Sequence, residues 1–219
     1  KIESYYQQLY NIPVSIQPSS FSLVNQGSGF ARFFPDSLEN SGTGENYGIE
    51  FTIEKFFSKK FFFMANISLF ESNYKGSDGI KRDTDFNGNY ATNFLAAREF
   101  KINDKSSISI GTKITAAGNK RFGPVDTALT VSQGEIIYVD STRNSMQLKD
   151  YFRADLKVNY TINKAKVTHE IGLDFVNLLG TKNILKLTYA PDPNDPTANS
   201  IREEYQLGFL PIFYYKLDF

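Results

Sequence analysis

The chain has 219 residues, a formal net charge of zero, one histidine and no cysteine. Without cysteine it has no disulfide framework and no thiolate metal site, and without net charge it has no long-range field that attracts nucleic acid. Aromatic residues make up 15% of the chain, as 20 Phe and 13 Tyr, yet no apolar run reaches the roughly 18 residues that predict a transmembrane helix.

Apolar and polar residues alternate with a period of two through most of the chain, which is typical of β-strands with two different faces. The alternation predicts eight strands, at about 2–12, 46–57, 61–74, 89–101, 106–117, 146–162, 167–177 and 208–219. In the first of these, Ile2, Tyr6, Tyr10 and Ile12 are expected on one face. The sixth is the clearest, because apolar residues fill every second position from Phe152 to Ile162.

Short and long connections alternate along the chain. The short ones, at 58–60, 103–105 and 163–165, are polar and suit tight hairpin turns. The long ones, at about 13–45, 75–88, 118–145 and 178–203, are rich in turn-forming residues. Loops of this length are uncommon in compact soluble domains. Short periplasmic turns and long extracellular loops are the arrangement of an outer-membrane β-barrel.

The predicted fold is therefore all-β: an antiparallel transmembrane β-barrel segment of about eight strands, apolar toward lipid and polar toward the lumen. The polar residues expected to face the lumen are Glu50, Lys113, Arg153, Asp155, Lys157, Glu170 and Asp174. Aromatic residues near the strand ends suit the two membrane–water interfaces. The alternative fold is a large soluble sandwich, which also alternates but leaves the unequal connections and the aromatic ends unexplained.

Two motifs are candidate sites of chemistry. His169 has the outward parity near a short turn, and no serine with an orienting acid accompanies it, so an interfacial ring is expected. Asp83, Asp85, Asn87 and Gly88 match half of a calcium-loop signature, but Phe94 stands where the signature requires Glu. A solvated turn is expected there. The prediction is no catalytic, cofactor-binding or metal-binding residue, no cofactor, no nucleic-acid partner and no enzymatic activity.

Four segments resemble TonB-dependent outer-membrane receptors of the Bacteroidetes type: YKGSDGIKRDTDFNGNY (74–90), GNKRFGPVD (118–126), DYFRADLKVNYTINKAKVTHEIGLDFVNLLGTKNIL (150–185) and EYQLGFLPIFYYKLDF (204–219). The resemblance implies the C-terminal part of a barrel of about 22 strands around a plug, in the outer membrane of a Gram-negative cell. It also implies a barrel-closing terminal signal, read by the barrel assembly machinery, at Phe213, Tyr215, Leu217 and Phe219.

The function implied by the resemblance is a receptor wall for TonB-dependent uptake of a scarce nutrient: a siderophore, cobalamin, a glycan or a peptide. The plug, the earlier strands and the TonB-contacting segment have no counterpart in 1–219, so the chain is expected to be a C-terminal portion. Its partners would be outer-membrane lipid, those missing parts, and TonB through the absent N-terminal region. The alternatives are a self-contained small outer-membrane barrel with a structural or adhesive role and a membrane-embedded hydrolase that uses His169.

Overall fold

The computed structural model describes residues 1–27, 37–195 and 198–219. Its strands are β1 (Ile2–Ser15), β2 (Leu38–Ser58), β3 (Phe61–Lys75), β4 (Lys81–Asp83), β5 (Tyr90–Asn103), β6 (Ser106–Ala117), β7 (Arg121–Phe122), β8 (Met146–Gln147), β9 (Tyr151–Asn163), β10 (Thr168–Val176), β11 (Ile184–Tyr189), β12 (Ile201–Tyr205) and β13 (Leu210–Asp218). The helices are α1 (Thr127–Gln133) and two 3-10 turns, Leu23–Asn25 and Asp140–Thr142. No helix within these ranges is long and apolar enough to cross a bilayer.

The long strands form one antiparallel sheet in the order β1-β2-β3-β5-β6-β9-β10-β13, with β4 paired to the end of β3. Each long strand therefore lies beside the next long strand in the chain, and the predicted all-β antiparallel sheet is confirmed. Within the described ranges β1 pairs only with β2, and β13 pairs only with β10. Among the described residues the sheet is therefore open at both of these edges and does not close on itself.

The three short connections form the tight turns that the sequence predicts. Lys59 and Lys60 join β2 to β3 with φ of 51° and 62°, the left-handed conformation that two-residue hairpin turns require. Between β5 and β6, the side chain of Asn103 accepts a 2.9 Å hydrogen bond from the backbone N–H of Lys105. Between β9 and β10, the N–H of Lys164 donates to the carbonyl of Val167 at 2.9 Å.

The first hairpin differs from the prediction. Strand β2 begins at Leu38, well before 46, because β1 continues to Ser15 and pairs with the extra length. The register shifts between Leu9 and Ile12, where Asn11 has a φ of 57°. Such a bulge moves the following residues to the opposite face. The expectation that Ile12 shares a face with Ile2 is therefore wrong.

The pairing register divides the sheet into two faces of different chemistry. The apolar face carries large side chains that are 36% to 66% exposed: Ile49, Phe51, Ile67, Leu69, Phe94, Ile110, Ile114, Phe152, Ile171, Leu173, Phe213, Tyr215 and Leu217. The polar face carries Glu50, Thr52, Asn66, Ser68, Asn93, Lys113, Arg153, Asp155, Lys157, Asn159, Glu170, Asp174, Tyr214 and Lys216.

The few buried apolar side chains lie away from the middle of the sheet. Among the described residues they are Val14, Tyr74, Leu148 and Ile184. All four belong to the end of the sheet where the long connections leave it, here called the long-loop end. A soluble sheet buries one face against another layer, whereas the apolar face of this sheet has no layer of the described chain packed over it.

Candidate functional site

All seven residues predicted to face the lumen lie on the polar face. Lys113 of β6 stands directly opposite Asp155 of β9, and Lys157 stands opposite Asp174 of β10. Glu50 lies on β2, well across the sheet from the others, where its Oε1 accepts a 3.3 Å hydrogen bond from Ser68 Oγ. Six of the seven are therefore grouped on β6, β9 and β10.

Strands β9, β10 and β13 share a charged network on the polar face. Lys157 Nζ lies 3.4 Å from Asp174 Oδ2 and 4.6 Å from the centre of the Tyr214 ring. The hydroxyl of Tyr214 donates to Glu170 Oε1 at 2.6 Å and lies 3.0 Å from Asn159 Oδ1. Tyr214 was missing from the predicted polar set. Its parity, shared with Lys216 two residues later, was the signal that could have found it.

A second charged group lies where β9 meets the long-loop end. Arg153 and Asp155 form an ion pair with a 3.0 Å separation between Nη2 and Oδ2. The other carboxylate oxygen of Asp155 accepts the backbone N–H of Asn177 at 2.8 Å. Asn177 is fully buried and in turn donates to the carbonyls of Thr181 and Leu207. The polar face is thereby connected to the loop that follows β10.

Two tyrosine rings of the polar face lie over glycines on the neighbouring strand. Tyr5 of β1 stands opposite Gly48 of β2, and Tyr214 of β13 stands opposite Gly172 of β10. A Cβ atom at Gly172 would lie 2.1 Å from the Tyr214 ring, and one at Gly48 would lie 2.9 Å from Cζ of Tyr5. Each ring therefore occupies the space that a side chain at the glycine would need.

Strand β13 places Phe213, Tyr215 and Leu217 on the apolar face, and Phe219 follows the strand with 95% of its surface exposed. Tyr215 Oη lies 2.7 Å from Nδ1 of His169, and the two rings stack with centroids 6.1 Å apart. His169 thus lies on the apolar face beside a short turn, with a phenol and not a serine as its hydrogen-bond partner. The role of this strand as a barrel-closing signal stays a prediction.

The segment that resembles half of a calcium loop is the centre of a buried polar cluster at the long-loop end. Asn87 is fully buried; its Oδ1 accepts the backbone N–H of Ser72 at 3.1 Å. Its Nδ2 donates to Glu71 Oε2 at 2.9 Å and to Asp83 Oδ1 at 2.8 Å. Asp85 accepts a 2.7 Å hydrogen bond from Asn144 Nδ2. Side-chain N–H donors therefore reach the oxygens that a cation would need.

This cluster corrects the expectation of a solvated turn at 83–88. Thr84 is 1% exposed and Asp85 is 6% exposed, because the connection after β6 folds over them. Arg143 belongs to this connection, and its Nη2 lies 3.4 Å from Asp85 Oδ2. In the part of the chain that the structure describes, no three His, Cys, Asp or Glu side chains group as metal ligands.

Hydrogen bonds around Arg82 link three of the long connections to one another. Its side chain is 4% exposed and bonds both oxygens of Asp78, at 2.9 and 2.6 Å. These hydrogen bonds hold the pKa of the Asp78 carboxyl below its ordinary value. Arg82 also lies within 3.5 Å of the carbonyl oxygens of Asp140 and Ser141, and Asp140 accepts from the hydroxyl of Ser20 at 2.5 Å. The long-loop end is one hydrogen-bonded layer.

The long connections contain short elements that the alternation did not predict. Strands β11 and β12 pair as a separate hairpin inside the last connection. Helix α1 begins after Asp126, whose side chain accepts the N–H of Leu129 at 3.0 Å, and ends at Gly134 with a φ of 74°. Asp before a helix and Gly after it are the usual caps, and they were the available signal for this helix.

One face of the sheet suits an apolar surrounding, the other suits water, and the long-loop end presents an ordered polar surface. The chain matches no protein-family model, no curated protein and no solved structure. The chemistry of the two faces and of the long-loop end therefore carries the assignment of function.

Proposed function

We propose that the chain forms part of the wall of a β-barrel in the outer membrane of a Gram-negative cell. The observation that carries this proposal is the exposed apolar face, which runs across all eight long strands opposite a polar face. Contiguous apolar patches above a few hundred Å² are rare on soluble monomers and mark contact with protein or membrane. Lipid on this face would remove the side chains from water without a second protein layer.

The dimensions of the apolar face agree with a bilayer. On β9, apolar side chains recur at every second residue from Phe152 to Ile162. At about 3.4 Å per residue this stretch is roughly 34 Å long, and roughly 25 Å high at a strand tilt of about 40–45°. The apolar band of outer-membrane barrels is about 25 Å tall. One pass of β9 is therefore long enough to cross the hydrocarbon layer.

The polar face supports an aqueous lumen. It carries the ion pairs Lys157–Asp174 and Arg153–Asp155, and a lysine turned instead toward lipid at mid-depth would cost about 2–4 kcal/mol. The long-loop end would then lie outside the cell. Its hydrogen-bonded layer would present a rigid surface for ligand capture, since binding residues commonly lie on loops held by a scaffold.

We further propose that this wall belongs to a TonB-dependent receptor for a scarce nutrient. The support is the resemblance of segments 74–90, 118–126, 150–185 and 204–219 to such receptors. In that role the chain is chemically passive: it encloses the lumen and holds the ligand-facing loops, while transport energy arrives through TonB. A siderophore, cobalamin, a glycan and a peptide are the ligand classes to test.

The second candidate is a self-contained small outer-membrane barrel with a structural or adhesive role. The observation that favours it is the up-and-down order of eight long strands, because eight strands are enough for a closed barrel filled by its own side chains. It requires β1 to pair with β13. A disulfide cross-link between cysteines placed on these two strands would form in the small barrel and not in a larger wall.

Site-directed spin labels test the proposal directly. Cysteines at Leu156, Ile171 and Leu217 of the intact gene product place labels on the apolar face, and cysteines at Asn159, Glu170 and Lys216 place matched labels on the polar face. In native membranes the first set should be accessible to dissolved oxygen and shielded from a water-soluble nickel relaxant, and the second set should show the reverse. Equal access of the nickel relaxant to both sets would reject the membrane wall.

A further inference from the structure

The end of the sheet that carries the short turns, opposite the long-loop end, has a surplus of basic residues. These residues lie in or beside the three turns and are here called the basic rim: Lys55, Lys59, Lys60, Arg98, Lys105, Lys164 and Lys166. Lys59 and Lys60 form the first turn, Lys105 lies in the second, and Lys164 and Lys166 flank the third. The rim thus follows the short-turn end across six strands.

Charge at this end separates by face. Lys55 pairs in register with Phe63 and Arg98 pairs with Ile110, so both bases lie on the side of the apolar face. The acids next to these bases in sequence, Glu54 and Glu99, have the opposite parity and lie on the side of the polar face. A molecule that approaches the apolar face at the short-turn end therefore meets positive charge.

Much of that charge is uncompensated. Lys60 lies 3.6 Å from Glu99, and the acid in the second turn, Asp104, pairs with Lys101 at 2.5 Å. Within residues 1–27, 37–195 and 198–219, the exposed lysines at the turns form no ion pair: Lys59, Lys105, Lys164 and Lys166. Four ammonium groups are therefore available for an external anion.

Exposed aromatic rings accompany the bases. Phe56 is 77% exposed, Phe57 is 59% exposed and Phe100 is 44% exposed. Lys55 Nζ lies 5.2 Å from the centre of the Phe61 ring, and Arg98 Cζ lies 5.2 Å from that of Phe100. Rings suit the boundary between hydrocarbon and headgroups, and long basic side chains extend from it toward water. The combination fits a surface that is oily on one side and anionic on the other.

The opposite edge of the apolar face, at the long-loop end, has mixed and paired charge. Lys81 is hydrogen-bonded to Glu45, and Glu71 accepts hydrogen bonds from Asn87 and Asn89. Asp83 lies 3.6 Å from Arg121. Acids are interspersed with the bases at that end of the sheet, whereas bases outnumber acids at the short-turn end.

We propose that the basic rim binds the phosphate groups of anionic phospholipids in the leaflet that surrounds the short turns. The proposal rests on the membrane position proposed above and adds the lipid class at one edge. Each lysine near an anionic bilayer surface favours binding by about fivefold, and salt screens this attraction over about 10 Å at 0.1 M. The rim should therefore enrich anionic headgroups locally at low ionic strength.

Photo-crosslinking measures this enrichment at the rim itself. The intact gene product is reconstituted in bilayers of equal parts phosphatidylglycerol and phosphatidylcholine at 50 mM NaCl, with a trace of either lipid carrying a photoreactive headgroup. Cross-links are quantified by mass spectrometry on peptides that contain 56–60, 102–106 and 163–167. The phosphatidylglycerol yield should exceed the phosphatidylcholine yield about fivefold, and 500 mM NaCl should reduce the ratio to nearly one.

Two matched variants locate the effect. The rim variant, Lys59→Gln/Lys105→Gln/Lys164→Gln/Lys166→Gln, should reduce the ratio to nearly one. The control variant carries four exposed lysines of the other end changed in the same way: Lys75→Gln, Lys149→Gln, Lys182→Gln and Lys186→Gln. It has the same net charge as the rim variant and should keep the fivefold ratio. Circular dichroism of both variants verifies that the sheet is retained.

The outcomes separate this inference from the membrane proposal. A ratio near one for the unmodified protein, with the labels on Leu156, Ile171 and Leu217 in the acyl region, overturns the lipid selectivity and leaves the membrane wall intact. Equal loss of the ratio in both variants also overturns it, because net charge and not the rim would then be responsible. Labels in bulk water would overturn both proposals.

Discussion

The sheet and the long-loop end of this chain distribute apolar and polar side chains in opposite ways. On the sheet, Phe51 and Leu173 are 45% and 42% exposed. At the long-loop end, the amide side chains of Asn87, Asn144 and Asn177 are at most 1% exposed. A soluble domain buries the first kind of residue and exposes the second. The comparison shows that the two regions are ordered by different forces.

The sheet is stabilised by main-chain hydrogen bonds between its strands and by contact of its apolar face with its surroundings. The long-loop end is held by side-chain hydrogen bonds, which contribute only about 0.5–1.5 kcal/mol each when made but cost about 1–3 kcal/mol when a buried partner is left without one. Order at the long-loop end should therefore be sensitive to single amide side chains, and order in the sheet should be sensitive to charge on one face only.

The largest effect is expected from charge placed on the apolar face. Ile110→Lys puts an ammonium group at the middle of β6 and should destabilise the protein in bilayers by about 2–4 kcal/mol. Ser109→Lys changes the neighbouring residue, whose side chain points to the polar face, and should change stability by less than about 1 kcal/mol. Urea unfolding from liposomes measures both. Equal losses would show that the two faces have the same surroundings.

A smaller and more local effect is expected from Asn87→Ala. The change removes three hydrogen bonds and leaves the Ser72 N–H and two carboxylates without this partner. It should cost about 2 kcal/mol. Hydrogen exchange should accelerate about thirtyfold in residues 72–89 and remain unchanged in β9. Asn103→Ala, in an exposed turn, is the matched control; faster exchange throughout the sheet would contradict the separation of the two regions.

The smallest effect is expected from acid. Because Arg82 lowers the pKa of Asp78, the carboxylate stabilises the long-loop end above its ordinary pKa of 3.8, and this stabilisation is lost as the pH falls through the lower folded value. Asp78→Asn should remove about 1–2 kcal/mol of stability at pH 7. In the unmodified protein, protection of 75–89 from protease should decrease below about pH 4, and in Asp78→Asn this decrease should be much smaller. Asp104→Asn changes a residue that is 93% exposed in a turn and should leave the decrease unchanged.

Most of the sheet could be predicted because its signal is local. Alternation of residues along each strand is a property of neighbours in sequence, and the boundaries of β3, β6 and β10 lie within a few residues of the predicted ones. The three short turns were equally visible, since a hairpin with a two- or three-residue loop is determined by the residues in it. Parity also placed on one face all seven charged residues that were predicted to face the lumen.

What escaped prediction depends on contacts between distant segments. A single bulge at Asn11 changed the parity of Ile12, and nothing in the alternation marks the residue at which a bulge occurs. The segment at 83–88 looked solvated because its composition is polar. Its burial depends on Arg143 and Asn144, about 60 residues away in the chain. Sequence patterns describe the wall better than the loops that fold over its end.

The tyrosine rings over Gly48 and Gly172 have a consequence for assembly. One tyrosine–glycine pair joins the first two long strands and the other joins the last two. Each ring fits only above a residue without a side chain, so it fixes the register between an outermost strand and its inner neighbour. Sliding by one position would push the ring against a Cβ atom and turn charged side chains to the apolar face. A further strand that pairs with β1 or β13 would therefore pair with an edge strand whose register is already fixed.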